Sequence, residues 1–187
     1  MPTRRFRSRR SLLLGLAAVG LVPLSGCTSK PLRPVEADGR YCHRIGKSYK
    51  PTLTCTPGPV PSAAEEAEVK RFAATPELLT VYVLRNRWSD TLVTAVLAVD
   101  GIDRATTIPV SLVRITLKPG MHRLSVRWDA GASDFGISGM AGEVRFVELN
   151  GREWAWSKGF SWRAADAQEV RARALAAKLV ADLELGR

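Results

Sequence analysis

Between residues 78 and 158 apolar and polar positions alternate with a period of two, the signature of strands that bury one face. Residues 80–85 are dense in β-formers, and 92–99, 110–117 and 122–128 repeat the signal. In the last of these, Leu124, Val126 and Trp128 share one face, and His122 extends the same parity toward the preceding turn. Residues 143–149 and 152–158 complete six predicted strands, with a weaker seventh at 135–138. Turn chemistry falls between them. Asp100-Gly101 is a hairpin signal, Lys118-Pro119-Gly120-Met121 sets φ for a tight turn, and Asn150-Gly151 is the strongest short hairpin signal in the chain.

The period changes at both ends of this region. Ser62-Ala-Ala-Glu65 has the form of a capping box and starts a predicted helix of about three turns that ends before Thr75-Pro76. Asp166 with Glu169 repeats the capping pattern, and Ala172, Leu175, Ala176, Leu179, Val180 and Leu183 then recur at helical spacing, predicting an amphipathic helix to Leu185. Residues 62–187 therefore read as a mainly β domain. The expected architecture is an antiparallel immunoglobulin-like β-sandwich with a short N-terminal helix and a C-terminal amphipathic helix.

The first 26 residues have a different character. Arg4, Arg5, Arg7, Arg9 and Arg10 precede an apolar run from Ser11 to Leu24, which is shorter than the about 20 residues a permanent membrane helix needs. This is the n- and h-region pattern of a signal peptide. The run closes on Leu24-Ser25-Gly26-Cys27, which resembles the bacterial lipobox. That resemblance implies cleavage between Gly26 and Cys27, with acylation of the Cys27 thiol and palmitate among the expected acyl chains. Two or more acyl chains make anchoring in a lipid bilayer stable. Thr28 stands where an Asp resembles an inner-membrane retention signal, so the expected location is the outer membrane, facing the periplasm. Ser8-Arg9-Arg10-Ser11-Leu12-Leu13 resembles a twin-arginine motif with Leu14 in place of the usual Lys, so the general secretory and twin-arginine routes both fit.

Cleavage also changes the charge. The five leader arginines supply half of the formal +10, and the remaining small surplus does not describe a nucleic-acid binder. Residues 27–39 hold Pro31 and Pro34 and read as the lipidated Cys with a tether.

Three cysteines leave one over in an oxidising compartment, and lipidation of Cys27 accounts for it. Cys42 and Cys55, with twelve residues between them, are then expected to form a disulfide across the basic, Pro-rich segment 40–61. Cys42, His43 and Cys55 lack zinc spacing, so no metal site is expected. Arg40, Arg44, Lys47 and Lys50 occur without an acidic residue among them. The run reads either as a solvated loop or as a contact for anionic headgroups or peptidoglycan.

Three stretches, Val81-Tyr82-Val83-Leu84-Arg85, Leu117-Lys118-Pro119-Gly120-Met121-His122 and Ala141-Gly142-Glu143-Val144-Arg145-Phe146-Val147, together resemble a bacterial lipoprotein family of unknown function, the domain of unknown function 2846 type. The resemblance covers about residues 75–147 and implies a small β-sandwich on an envelope lipoprotein, without catalytic residues to carry over.

Candidate chemistry is sparse. His43 and His122 are the two histidines, and no Gly-x-Ser-x-Gly elbow presents a serine. A hydrogen bond to the turn backbone is a sufficient role for His122. Asp100 and Asp103 lack the oxygen-ligand density of a calcium loop. Neither an enzyme nor a cofactor is expected. Trp154 and Trp156 would stand on one strand face with Phe160 and Trp162 close behind. Exposed, these indoles would stack on sugar rings; buried, they would fill the space between sandwich and terminal helix. The expected function is a non-enzymatic envelope structural or protein-interaction module. The alternative is a carbohydrate- or peptidoglycan-binding module using Trp154, Trp156 and Trp162.

Overall fold

The computed structural model describes residues 34–47, 49–86, 93–154 and 157–187, with side chains described except at 45–47, 152–154, 157 and 158. In chain order the elements begin with β1 (Cys42–Lys47), β2 (Lys50–Cys55), α1 (Ala63–Val69), β3 (Leu79–Arg85), β4 (Ala95–Val99) and β5 (Ile102–Thr107). They continue with β6 (Ser111–Leu117), β7 (Gly120–Trp128), β8 (Gly131–Gly139), β9 (Val144–Trp154), β10 (Ser157–Ala165), α2 (Ala167–Ala176) and β11 (Lys178–Glu184). β1 and β2 pair with each other as a two-stranded sheet. The rest form a five-stranded sheet, β10-β9-β3-β6-β11, and a four-stranded sheet, β5-β4-β7-β8.

The domain is mainly β, as its alternation predicts. Leu79, Val81 and Val83 of β3 point toward the four-stranded sheet and join Leu97, Val99, Leu124 and Val126 in one core. Tyr82 and Leu84, one position out of phase, point to the opposite face, where α1 and α2 cover them with Val69, Phe72, Val170 and Ala174. β3 is therefore buried on both faces, which is why all seven of its residues are inaccessible. The outer edges of the two sheets also approach each other. The Trp162 indole on β10 donates to the Ser133 carbonyl on β8, 3.0 Å away.

The five-stranded sheet departs from the antiparallel expectation, because β3–β9 and β6–β11 are parallel pairs. Parallel neighbours need a crossover, and here β9 returns to β3 only after the chain has built the second sheet. β11 likewise reaches β6 through α2.

Two further expectations are corrected. The C-terminal helix does not run to Leu185; it stops at Ala176, and Lys178–Glu184 forms β11. Leu179 and Val180 are buried as strand residues, whereas Leu175, on the predicted apolar stripe, is exposed. The unpaired edge of β6 outweighs the local helical spacing. Asn150-Gly151 is not a turn either, since β9 runs through it and the chain reverses between Trp154 and Ser157. Gly151 faces Phe160 across the strands, while the Asn150 side chain accepts from Asn86 Nδ2 at 2.9 Å, so both residues serve lateral contacts.

The caps behave as read. Ser62 Oγ accepts from Glu65 N at 3.3 Å and Glu65 Oε2 accepts from Ser62 N at 2.7 Å. α1 is shorter than three turns because Phe72 adopts φ 56° and turns its ring into the Tyr82–Phe146 cluster. Asp166 caps α2 through Gln168 N, 2.8 Å away. At the Asp100-Gly101 turn both residues have positive φ, 51° and 83°, as a primed hairpin requires, and the strand beyond it, β5, lies outside the six strands and the weaker seventh expected from the alternation.

Candidate functional site

Segment 40–61, expected as a loop, contains the β1–β2 hairpin. Its base is built into the body: Tyr41 is 1 % exposed within the main core, its N–H donates to Thr56 Oγ1 at 3.1 Å, and the Thr56 N–H donates to the Tyr41 carbonyl at 2.9 Å. Cys42 and Cys55 form the next rung and are joined by the expected disulfide. On the next rung Thr54 is still buried, and beyond it burial falls away. Arg44, Lys50, Pro51, Thr52 and Leu53 are exposed, and Tyr49 at the turn is 78 % exposed. A lone two-stranded hairpin is marginal in water, so the disulfide and the buried base hold this one in place.

The four basic residues of the segment are not equivalent. The Arg40 Nε–H donates to Asp38 at 2.5 Å, and the backbone and side-chain hydrogen bonds from Arg40 hold the Asp38 carboxyl below its usual range. Arg44 is on β1, and Lys47 and Lys50 face each other in register where the hairpin turns.

Of the three candidate tryptophans, Trp162 is half-buried, stacked on Phe135 with ring centroids 5.9 Å apart and hydrogen-bonded to Ser133. It packs on the main core at the seam between β10 and β8. The Trp154 side chain and all of Trp156 lie outside the described residues. So do Gly26 and Cys27.

His122 has the turn-backbone bond expected of it, Nε2 to the Lys118 carbonyl at 2.8 Å, and a second partner that the sequence did not suggest. Its Nδ1 lies 2.7 Å from Asp100 Oδ2, and the other Asp100 oxygen accepts from Arg123 N at 2.9 Å. Both ring nitrogens thus face acceptors, which only the imidazolium satisfies. Burial alone would lower the His122 pKa, but the bonds to Asp100 and Lys118 outweigh it and raise it above the ordinary value. With both nitrogens committed, the ring is a strut between two turns. It borders a shallow groove of about 550 Å³ with Met121, Arg123, Asp134 and Phe135.

Two polar clusters have no local sequence signal. Glu148, 1 % exposed on β9, is ion-paired to Arg163 and Arg173 and accepts from Asn86 Nδ2 at 3.0 Å. Glu169 joins the cluster through Arg163 at 2.7 Å. The second is Arg85, the last residue of the Val-Tyr-Val-Leu-Arg stretch and 0 % exposed. Its guanidinium donates to the carbonyls of Thr107 and Val93, 2.7 and 2.5 Å away, and lies 4.7 Å from the Phe160 ring centre. It connects β3 to β5 and β10. Among the described residues, no group of three or more His, Cys, Asp or Glu side chains is placed to hold a metal ion.

No protein-family model matches this chain, and no curated protein aligns with it.

Proposed function

We propose that the chain is an outer-membrane lipoprotein, anchored through acyl groups on Cys27 and carrying its β domain into the periplasm as a non-enzymatic structural or protein-interaction module. The observation that carries the reading is the Cys42–Cys55 disulfide at a paired rung of the hairpin, because such bonds persist in exported proteins and are rare in reducing compartments. The engagement of these charged groups within the fold supports the same reading, since His122 braces two turns and Glu148 is enclosed by Arg163 and Arg173. An immunoglobulin-like scaffold is the finer form of this proposal: two sheets over one core, with surfaces on edges and turns. The parallel pairs of the five-stranded sheet are where the chain departs from that fold's antiparallel pattern.

Labelling with palmitate in cells tests the anchor. Wild type incorporates label at Cys27 and Cys27→Ser does not; label retained by the variant overturns the lipoprotein reading. The alternative, a carbohydrate- or peptidoglycan-binding module, rests on Trp154 and Trp156, because the Trp162 N–H is already used by Ser133.

A further inference from the structure

We infer that β8 is the interface through which two copies of this chain pair, edge to edge and antiparallel about a two-fold axis, so that two four-stranded sheets join into one of eight strands. The inference goes beyond the reading above and holds whether or not Cys27 is acylated. It starts from the four sheet edges, β5, β8, β10 and β11. An open edge invites another strand, and proteins ordinarily blunt it with charged side chains, Pro or a bulge. β5 carries Asp103 and Arg104 beside a register shift in its pairing with β4. β10 contains Lys158 and Arg163, and β11 contains Lys178, Asp182 and Glu184. Along its nine residues β8 has a single charge, Asp134, and no Pro, and it keeps an unbroken register with β7 from Gly131 to Gly139. β10 meets it from the facing sheet through Trp162, but in the plane of its own sheet β8 has β7 on one side and no described strand on the other.

The faces of β8 fix the register. Ala132, Asp134, Gly136 and Ser138 are exposed on the outer face, while Phe135 and Ile137 turn toward the core between the sheets. A two-fold axis perpendicular to the sheet keeps these faces in common, and the registers of greatest overlap are centred on Asp134, Phe135 or Gly136. Centring on Asp134 sets two carboxylates directly opposite each other, which is unfavourable. Centring on Gly136 sets two glycines opposite each other and leaves Gly131 and Ala132 unpaired. Centring on Phe135 pairs the whole strand, with Asp134 opposite Gly136 of the partner subunit and Ala132 opposite Ser138 of the partner subunit.

That register brings complementary groups together. Arg123 and Asp134 are both exposed, and among the described residues neither side chain is in an ion pair. Arg123 lies opposite Gly136 on the outer face, so it stands in one row with Asp134 of the partner subunit, two strand spacings or about 10 Å away. A Cβ at Gly136 would meet nothing within 4 Å, which leaves the long Arg123 side chain room to cross between them. The two-fold axis repeats the contact, giving two Arg–Asp pairs. Met121, 85 % exposed and opposite Ser138, comes into the row of Ala132 of the partner subunit. On the core face Phe135, half-buried and stacked on Trp162, meets Phe135 of the partner subunit as an aromatic cross-strand pair. Because the pairing uses β8 of both copies, the assembly closes at two.

The test uses the chain from Thr28 to Arg187, which contains the whole fold, because every residue of both cores lies at or beyond Tyr41. Sedimentation velocity over a concentration series should show a monomer–dimer equilibrium. One strand pair is a small interface, so the expected dissociation constant is about 10 µM. Gly136→Asp sets a carboxylate opposite Asp134 on both sides of the axis, and Asp134→Lys puts a second cation in the row of Arg123. Each should weaken dimerisation at least about ten-fold. In Asp134→Lys/Gly136→Asp the opposed charges attract, and dimerisation should recover. Both positions are on the exposed face, and circular dichroism confirms that the variants fold. A second arm does not depend on these charges. Mixing copies that carry Ala132→Cys with copies that carry Ser138→Cys should give a disulfide-linked dimer under mild oxidation, and neither variant alone should. Three results overturn the proposal: a wild type that stays monomeric at about ten times the expected constant, a dimer that the folded single variants leave intact, or cross-linking as ready within one Cys variant as in the mixture.

Discussion

Cys42 and Cys55 sit directly opposite each other in β1 and β2, with Cα atoms 4.0 Å apart, at the rung where the hairpin leaves the protein body. Beyond that rung Thr54 is still buried, but Arg44 and residues 50–53 are exposed and none of the described hairpin past Cys42 joins either core, so the bond constrains the hairpin and not the two cores. Closing a loop of this size restricts the unfolded segment by about 3 kcal/mol on the chain-entropy account. Reduction, or the Cys42→Ser/Cys55→Ser variant, should abolish amide protection across β1 and β2 while leaving Val81, Val83 and Leu97 as slow as in the oxidised protein. Hydrogen exchange read by mass spectrometry checks this. Protection lost equally in β3 and β4 would show that the hairpin is integral to the sandwich.

The His122–Asp100 pair predicts a pH dependence with a definite sign. The folded His122 pKa lies above its ordinary 6.5, so its contribution is fully present below that value and is lost as pH rises through the folded pKa. Asp100 is the opposite case. Burial would raise its carboxyl pKa, but the Arg123 N–H and His122 hold it below 3.8, so its contribution is present above that value and lost as pH falls through the depressed one. The Asp100 side chain is half exposed, so solvent limits the pair to under about 1 kcal/mol. Urea midpoints should fall between about pH 6 and about pH 8.5 in wild type and change less in His122→Gln. A wild-type midpoint that rises over this interval contradicts the pairing.

Glu148 should matter more than either of its arginines. Its carboxylate is 2 % exposed, whereas the Arg163 and Arg173 side chains are 46 and 42 % exposed and can return to water when the partner is gone. Arg163→Ala leaves Glu148 held by Arg173 and Asn86, while Glu148→Ala leaves Asn86 and both arginines without their central acceptor. We expect a loss of about 2 kcal/mol for Glu148→Ala, about half that for Glu148→Gln, and a smaller loss than either for Arg163→Ala. Chemical denaturation with an unchanged slope measures all three. Equal losses for Arg163→Ala and Glu148→Ala would mean that the pair, not the buried carboxylate, sets the energy.

These same contacts mark the boundary of what local sequence can show. Caps and turns were legible because their partners are within a few residues: Ser62 with Glu65, Asp166 with Gln168, and Asp100 with Gly101. The disulfide was legible from cysteine number and the export expected from the leader. By contrast, Lys178 is 6 % exposed and ion-paired to Glu66, which also accepts from the Leu179 N–H at 3.1 Å, and these partners are more than a hundred residues apart. Nothing in the spacing of Leu175, Leu179 and Leu183 announces that α1 and the edge of β6 wait for a strand there. Burial would raise the Glu66 pKa, yet the hydrogen bonds from distant Lys178 and from Lys70 one turn along α1 hold it below the usual range. Asn150-Gly151 misleads for a related reason. Gly151 is held in register opposite Phe160 in the β9–β10 pairing, and the same dipeptide would make a turn if the strand did not run on through it.

The tryptophans separate the two functional readings. Trp162 satisfies its N–H on Ser133 and stacks on Phe135, so Trp162→Phe should cost about 1 kcal/mol of stability and leave binding unchanged. Trp154→Ala/Trp156→Ala removes the other two indoles on which the carbohydrate reading rests. In a pull-down on sacculi and envelope extract with the chain from Thr28, the interaction-module reading expects the same envelope proteins with wild type and with the folded double variant. Sacculus retention that wild type shows and the folded double variant lacks would replace that reading with the carbohydrate one. A sugar platform should lose its grip when its stacking rings are cut away, whereas a protein-binding sandwich should lose only what those rings contribute to packing.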